Sequence, residues 1–159
     1  MAESGRQTAT KSAPAIYVDA DACPVKDEVV RVAERFGVRV HMVGNAWMRA
    51  GLHPLVDSIV VEATPDAADD WIAAHIAAGD IAITADIPLA ARCIDAGAAV
   101  LGPTGKPFTE ADIGMALAMR DLKAHLRETG EDKGYNRGFT KQDRSRFLSA
   151  LDAALRKAG

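Results

Sequence analysis

Three aspartates follow two apolar segments at points where buried strands would end. Asp19 and Asp21 come after the segment AIYV (15–18), and Asp86 comes two residues after the segment IAIT (81–84). Both segments are short, β-prone and continuously apolar, which predicts strands covered on both faces. In a parallel α/β sheet, ligands bind outside the carboxyl ends of the strands. We therefore expect the three carboxylates to lie at one edge of a buried sheet.

Carboxylates in this arrangement are suited to holding a cation. Asp19 and Asp21, one residue apart, can both turn toward a hard ion such as Mg²⁺, which takes oxygen ligands and keeps several waters. A carboxylate that ends a buried strand stays ionised only with donors or a cation nearby. The alternative role for Asp21 is to cap the helix that follows. Asp19 lies too far before that helix to cap it. The alternative for Asp86 is helix-terminus electrostatics, worth about 0.3–1 kcal/mol.

A third acidic group, Asp66, Asp69 and Asp70, opens a predicted helix. Asp66 with Asp69 three residues later resembles a capping box, so capping is one interpretation. The other is that Asp69, or Asp70 beside it, points into the pocket of the strand-end aspartates. Several converging carboxylates repel one another. A divalent metal would relieve that repulsion, activate a water molecule and stabilise an in-line phosphoryl displacement.

Other reactive or charged side chains lie close to these groups in sequence. Cys23 precedes Pro24 at a predicted helix start, a position that lowers the pKa of a thiol, but no His or second Cys is near it. Cys93 falls in an apolar helical stripe and is expected in the core. Lys26 and Arg92 flank the two strand-end sites and are candidates to contact phosphate, with ordinary surface charge as the alternative. The four histidines show no metal-ligand spacing.

Strands and helices alternate along the first two thirds of the chain. This alternation predicts parallel pairing with right-handed crossovers, hence a three-layer α/β/α fold with a mainly parallel central sheet. Residues 44–55 do not distinguish a loop from a short helix. The expected strands are 15–18, 38–43, 58–61, 81–84 and 98–101, and the expected helices begin at Pro24, Pro65 and Pro88.

Helices are expected to follow the fifth strand. Thr109 is a predicted N-cap with Asp112 at the third helical position, and Thr140 is predicted to cap the last helix. A charged, Gly-rich connector is expected at 130–138. The polar segment 1–13 has no apolar stretch, which predicts a disordered tail and no secretory signal. Residues 14–159 are predicted to form one domain with a C-terminal helical extension over about 109–159.

Composition favours a single globular domain. The 159 residues are 48% hydrophobic and 26% charged, which provides enough apolar material for one core. No 18-residue apolar run exists, which argues against a membrane span. Two cysteines lie far apart without a CxxC motif, so a reducing, cytoplasmic setting is expected.

Charge is distributed unevenly. Residues 1–119 contain 9 Lys and Arg against 16 Asp and Glu, a balance of −7, whereas residues 120–159 contain 10 against 6, a balance of +4. An acidic body suits cations, and a basic C-terminal quarter suits phosphates, although a solvated helix face is the alternative.

Several ungapped segments resemble the YaiI/YqxD family of uncharacterised bacterial proteins. The longest are VDADACPVK (18–26) and ITADIPLAA (83–91), joined by DAAD (66–69). Two C-terminal segments, MRD (119–121) and KQDR (141–144), also match the family. The resemblance covers nearly everything after the N-terminal tail.

The resemblance implies a relation to PIN-like domains, whose active members are Mg²⁺- or Mn²⁺-dependent nucleases on a parallel α/β sheet. It implies metal ligands at Asp19, Asp69 and Asp86, with Asp21 extending the catalytic set. Asp66 is then expected to cap the helix. Substrate-contact candidates are Lys26, Arg92 and Arg120, and the implied substrate is RNA or DNA.

Three functions remain open on the sequence. The leading hypothesis is a metal-dependent phosphodiesterase using Asp19, Asp21, Asp69 and Asp86. The second is a phosphatase resembling the haloacid dehalogenase class, with Asp19 as nucleophile and Asp21 as acid, although no clear downstream Lys and paired acidic motif follows. The third is a nucleic-acid-binding PIN-like module without turnover. Activity, RNA or DNA preference, the number of metal ions and oligomeric state are not determined by the sequence.

Overall fold

The central feature of the fold is a six-stranded sheet. The computed structural model describes residues 14–45, 53–64, 66–115, 118 and 139–158. The strands lie in the order β3-β2-β1-β4-β5-β6; the first five are mutually parallel, and β6 is antiparallel to β5. Their bounds are β1 Ile16–Asp19, β2 Val40–Gly44, β3 Val56–Val60, β4 Ile81–Ile83, β5 Ala99–Leu101 and β6 Pro107–Phe108.

Helices cover both faces of the sheet. On one face α1 and α5 pack over a core that includes Ile16, Val29 and Phe147, and on the other α2 and α3 pack over Tyr17 and Leu89. The predicted three-layer α/β/α fold is therefore confirmed. The helices are α1 Lys26–Phe36, α2 Ala67–His75, α3 Ile87–Asp95, α4 110–115 and α5 Lys141–Ala158.

Helix ends follow the predicted capping chemistry at several points. Thr109 and Asp112 exchange reciprocal hydrogen bonds, as do Thr140 and Asp143, which confirms both predicted caps. Gly37 ends α1 in the left-handed conformation (φ 68°). Several boundaries were predicted wrongly. Helices α1 and α2 each begin two residues later than expected, as does β2, whereas β3 begins two residues earlier.

The strand order places β1 and β4 side by side at the centre. Successive connections run from β1 to β2 on one side and from β4 to β5 on the other, so the winding direction reverses between β1 and β4. In open α/β sheets the carboxyl ends of the strands at such a reversal form a crevice in which ligands bind. Asp19 ends β1, and Asp86 follows β4 by three residues.

In the ranges that the structure describes, no helix is long and apolar enough to cross a membrane. The predicted tail (1–13), the predicted connector (130–138) and Arg120 lie outside the described residues, as does most of segment 44–55 that the sequence left open.

Candidate active site

Asp19 and Asp86 are joined through the Thr84 hydroxyl. Thr84 Oγ1 donates to Asp19 Oδ2 at 3.1 Å and accepts from the Asp86 backbone N–H at 3.0 Å. The Thr84 side chain lies between the two strand ends and is only 3% exposed. The hydroxyl donates its proton to Asp19 and accepts a hydrogen bond from Asp86 with a lone pair. One side chain therefore orients both residues.

Asp86 also caps α3. Its Oδ1 accepts a hydrogen bond from the Leu89 backbone N–H at 2.9 Å, and a proline follows at the start of the helix. The helix-terminus interpretation of Asp86 is therefore realised at one oxygen. Its second oxygen, Oδ2, accepts no hydrogen bond from any residue that the structure describes, so capping leaves half of the carboxylate available.

Asp69 is brought to the same place by the first turn of α2. Burial, together with the charges of Asp86, Asp19 and Asp66, raises the pKa of Asp69 to about 6, against a smaller lowering by Arg92. Interactions of this kind require the carboxylates to be near one another in a poorly solvated setting. The charges of Asp19 and Asp86 therefore act on Asp69.

The half-buried carboxyl of Asp19 experiences opposing influences. Burial raises its pKa, the Thr84 hydrogen bond lowers it, and the neighbouring charges of Asp86 and Asp21 raise it. A carboxylate at a buried strand end is thus kept next to two other negative charges, with one hydroxyl donor to offset them. This is an electrostatically unfavourable arrangement that a bound cation would relieve.

Asp21 acts on Asp19 through its charge, but its side chain has a different local role. It is exposed in the short 3₁₀ turn Ala20–Ala22, and both its oxygens accept from the Asn45 backbone N–H at 3.2 Å. The capping alternative for Asp21 is wrong, because the N-cap of α1 is Val25 and receives no side-chain hydrogen bond. Asp21 instead ties the loop after β1 to the end of β2.

The predicted capping box of Asp66 and Asp69 does not form. Asp66 occupies the N-cap position of α2, but its side chain makes no capping hydrogen bond. Its backbone is in the αR region (φ −105°, ψ −1°), whereas a capping residue is usually extended so that its side chain reaches back to the first turn. Without a capping box, the Asp69 side chain is not tied to the start of α2.

The three candidate substrate contacts have distinct positions. Lys26 Nζ donates to the carbonyl oxygens of Ala20 at 3.1 Å and Cys23 at 2.9 Å. These two hydrogen bonds stabilise the loop that follows β1. Arg92 Nη1 pairs with Asp70 Oδ1 at 2.9 Å on an exposed surface beside Asp69. Arg120 lies outside the described residues.

The expectation that a helix start lowers the pKa of Cys23 is wrong. Cys23 lies three residues before α1 and is buried in the core between α1, α5 and the sheet. Burial raises the pKa of its thiol, and Lys26 offsets this only in part. Cys93 is fully buried, as predicted, and burial raises its pKa to about 11. Neither thiol has the features of a nucleophile.

The carboxylates are not arranged as a complete metal-binding set in the part of the chain that the structure describes. In the described part of the chain, no three His, Cys, Asp or Glu side chains are grouped as a metal-binding set. Asp19, Asp69 and Asp86 therefore influence one another's charge without being arranged as a common ligand set. A site of this kind would hold a cation with only part of its coordination shell supplied by protein.

Two contributors to the site were missed at the level of sequence. Thr84 was assigned only as the last residue of an apolar strand, and Asn45 lay in the segment without a clear prediction. The Thr-x-Asp spacing was the one available signal for Thr84, since a hydroxyl two residues before a capping Asp can accept from its N–H. Nothing in the sequence connects either residue to an aspartate 65 or 24 positions away.

Comparisons with known proteins agree with the resemblance noted in the sequence. Residues 17–157 match the model of a family described as "Uncharacterized BCR, YaiI/YqxD family". A UPF0178 protein of Mesorhizobium japonicum is 62% identical over 146 residues, covering 92% of this chain and 94% of its own. A UPF0178 protein of Parvibaculum lavamentivorans is 63% identical over 137 residues, covering 86% and 90%. No solved structure matches the chain.

Proposed function

The chain belongs to the YaiI/YqxD family, and we propose that it is a divalent-metal-dependent phosphodiesterase of the PIN-like kind, acting on RNA or DNA. One observation carries the proposal. Asp19 and Asp86 lie at the strand ends where the sheet reverses its winding, and burial together with the charges of these two and of Asp66 raises the pKa of Asp69, in the first turn of α2, to about 6. A titrating carboxylate in a crevice with specific charged partners is a marker of functional sites.

The donor set fits a hard divalent cation. All three groups are carboxylates, and oxygen ligands are those that Mg²⁺ and Mn²⁺ prefer. Mg²⁺ dehydrates reluctantly and binds through one or two carboxylates with several waters, so it does not need a complete set of protein ligands. The ligands would be Asp19, Asp69 and the uncapped oxygen of Asp86. Bound there, the cation would activate a water molecule and neutralise charge developing on a phosphate.

The chain's own residues would keep this site in place. Thr84 orients Asp19 and Asp86 together, and Lys26 holds the loop after β1 through two carbonyl oxygens. Asp21 stays fixed against Asn45 at the rim, where it can accept a hydrogen bond from a water molecule. Catalysis by such a site depends on positioning and electrostatics more than on covalent chemistry of the protein.

The test is metal-dependent cleavage by the purified full chain. Labelled single-stranded RNA and DNA are incubated with Mn²⁺ or Mg²⁺, and Asp19→Asn and Asp86→Asn are compared with the parent. Asp95→Asn is the matched control, because Asp95 ends α3 about 13 Å along the helix from Asp86. Cleavage that is lost in the two site variants and retained in the control is expected.

The other outcomes separate the alternatives. Cleavage that persists in both site variants contradicts the proposal. Binding of Mn²⁺ by calorimetry without cleavage of any substrate would identify a binding module. Labelled phosphate trapped on Asp19 from a phosphomonoester would identify the phosphatase mechanism instead.

A further inference from the structure

A groove of about 510 Å³ opens at the surface near the carboxyl edge of the sheet. We call it the α5 groove, and it runs between the turn that follows β5 and the first half of α5. Its lining residues are Gly105, Gln142, Ser145, Arg146, Ser149 and Ala150. The lining contains hydrogen-bond donors and one guanidinium group but no carboxylate, in contrast with the acidic site.

The groove is built by a close contact between backbones. The turn is closed by hydrogen bonds from Gly102 N–H to Lys106 O and from Gly105 N–H to Gly102 O, both 2.9 Å long. Gly105 has a φ of +91°, and a Cβ atom there would lie 2.7 Å from the Arg146 carbonyl oxygen. Because the turn rests directly on the helix backbone, the groove between them has rigid walls.

Both walls of the groove are tied to the active-site loops. The Thr84 N–H donates to Leu101 O at 3.1 Å, immediately before the turn, and Thr84 is the residue that bridges Asp19 and Asp86. On the other wall, Arg144 Nη1 donates to Pro24 O at 2.9 Å, in the loop after β1. The α5 groove and the aspartates therefore share the carboxyl edge of the sheet.

The surface around the groove is positively charged. The half of α5 that lines the groove carries Lys141, Arg144 and Arg146 against Asp143. Arg146 pairs with the buried Asp143 and Arg144 pairs with Glu28, so the two lysines near the groove add the remaining positive charge. Next to the lining residues, Lys106 and Lys141 are exposed.

A polyanion that reaches four aspartates must gain its affinity elsewhere. Without a metal the site repels phosphate, and the attraction has to come from adjacent cations and donors. Guanidinium and hydroxyl groups donate to phosphate oxygens, and such contacts position a strand without reading its sequence. Gln142, Ser145, Arg146 and Ser149 all lie on α5, and such a row of donors suits contact with the backbone of one strand.

We propose that the α5 groove binds the phosphodiester backbone of single-stranded nucleic acid and leads it to the carboxylates. The choice of substrate class rests on the proposed function, whereas the groove itself rests on its lining and charge. Arg146 would supply the main charge, and Gln142, Ser145 and Ser149 would supply neutral donors.

The experiment measures binding separately from cleavage. Fluorescence anisotropy of short labelled uridine and thymidine homo-oligonucleotides is followed with the full chain in EDTA, across a salt series. Arg146→Gln and Ser149→Glu are compared with Arg156→Gln, which lies ten residues after Arg146 on α5, about 15 Å away along the helix. Each substitution lowers the net charge by one, so a non-specific charge effect would be equal in all three.

Ser149→Glu and Arg146→Gln are each expected to weaken binding about tenfold and to reduce the salt slope by about one, whereas Arg156→Gln changes binding less than about twofold. Ser149→Glu leaves the Asp143–Arg146 pair intact, so a folding defect in Arg146→Gln does not obscure the result. Equal weakening by all three variants, or no binding by the parent at low salt, overturns the inference. A loss confined to the groove variants supports it even if cleavage is never observed.

Discussion

The Thr84 hydroxyl donates to Asp19 Oδ2 at 3.1 Å, across two central strands whose residues are 65 positions apart. The same hydroxyl accepts from the Asp86 N–H, so a single buried side chain connects two of the three interacting carboxylates. Loss of this hydroxyl should therefore affect stability and site geometry together.

Replacement of Thr84 by Val removes the hydroxyl while keeping the shape of the side chain. Asp19 loses a donor and the Asp86 N–H loses an acceptor, so the free energy of unfolding should fall by about 2 kcal/mol. Urea unfolding measures this change. Thr84→Ser retains the hydroxyl and is the control, expected to lie closer to the parent. A Val variant as stable as the parent would contradict the bridging role.

The raised pKa of Asp69 predicts a pH-dependent stability of the metal-free protein. Its pKa in the folded state is about 6, against an ordinary 3.8, so the folded state binds the proton more tightly than the unfolded state. The free energy of unfolding should consequently decrease as pH rises from about 4 to about 6, by roughly 1 kcal/mol after allowance for solvent screening of a half-exposed group.

Asp69→Asn should remove that part of the decrease and stabilise the protein at neutral pH. Unfolding in EDTA at several pH values between these limits gives the measurement. Asp70→Asn is the matched control, because Asp70 is the next residue, is well exposed and pairs only with Arg92 among the described residues. The same pH profile in parent and Asp69→Asn would show that Asp69 does not carry the effect.

Addition of a divalent metal should stabilise the folded chain. Mn²⁺ at about 100 times its dissociation constant should raise the free energy of unfolding by about 2.7 kcal/mol, if the unfolded chain does not bind it. Differential scanning fluorimetry with and without Mn²⁺ measures the shift, and EDTA should reverse it. Asp19→Asn should lose most of this stabilisation, whereas Asp95→Asn should keep it.

Replacement of Gly105 by Ala should destabilise the contact between the β5–β6 turn and α5. The φ of +91° is unfavourable for a residue with a side chain, and the new Cβ would meet the Arg146 carbonyl oxygen at 2.7 Å. A loss of about 2 kcal/mol or more is expected in chemical unfolding. Gly114→Ala is the control, because α4 leaves space there and Ala favours helices by about 0.5–1 kcal/mol.

The pattern of elements was largely predictable, for local reasons. Continuous apolar runs such as 15–18 and 81–84 can only be strands covered on both faces, and Val29 and Val32 recur at helical spacing behind them. Strand β6 was missed, since two residues beginning with Pro107 carry no periodicity. The extra turn before α1 was also missed, because Pro24 is compatible with both a turn and a first helical position.

The strand-end position of Asp19 and Asp86 is determined by the sequence itself, because each follows an apolar run and parallel strands end at one edge. Only the tertiary structure decided the rest. Asp69 interacts electrostatically with Asp19 and Asp86 because α2 packs against the sheet. Asp21 accepts a hydrogen bond from the Asn45 N–H, and the Asp66 side chain does not cap α2. Local spacing controls periodicity and helix ends. Contacts between residues tens of positions apart depend on strand order and on helix docking, which burial of the whole core determines.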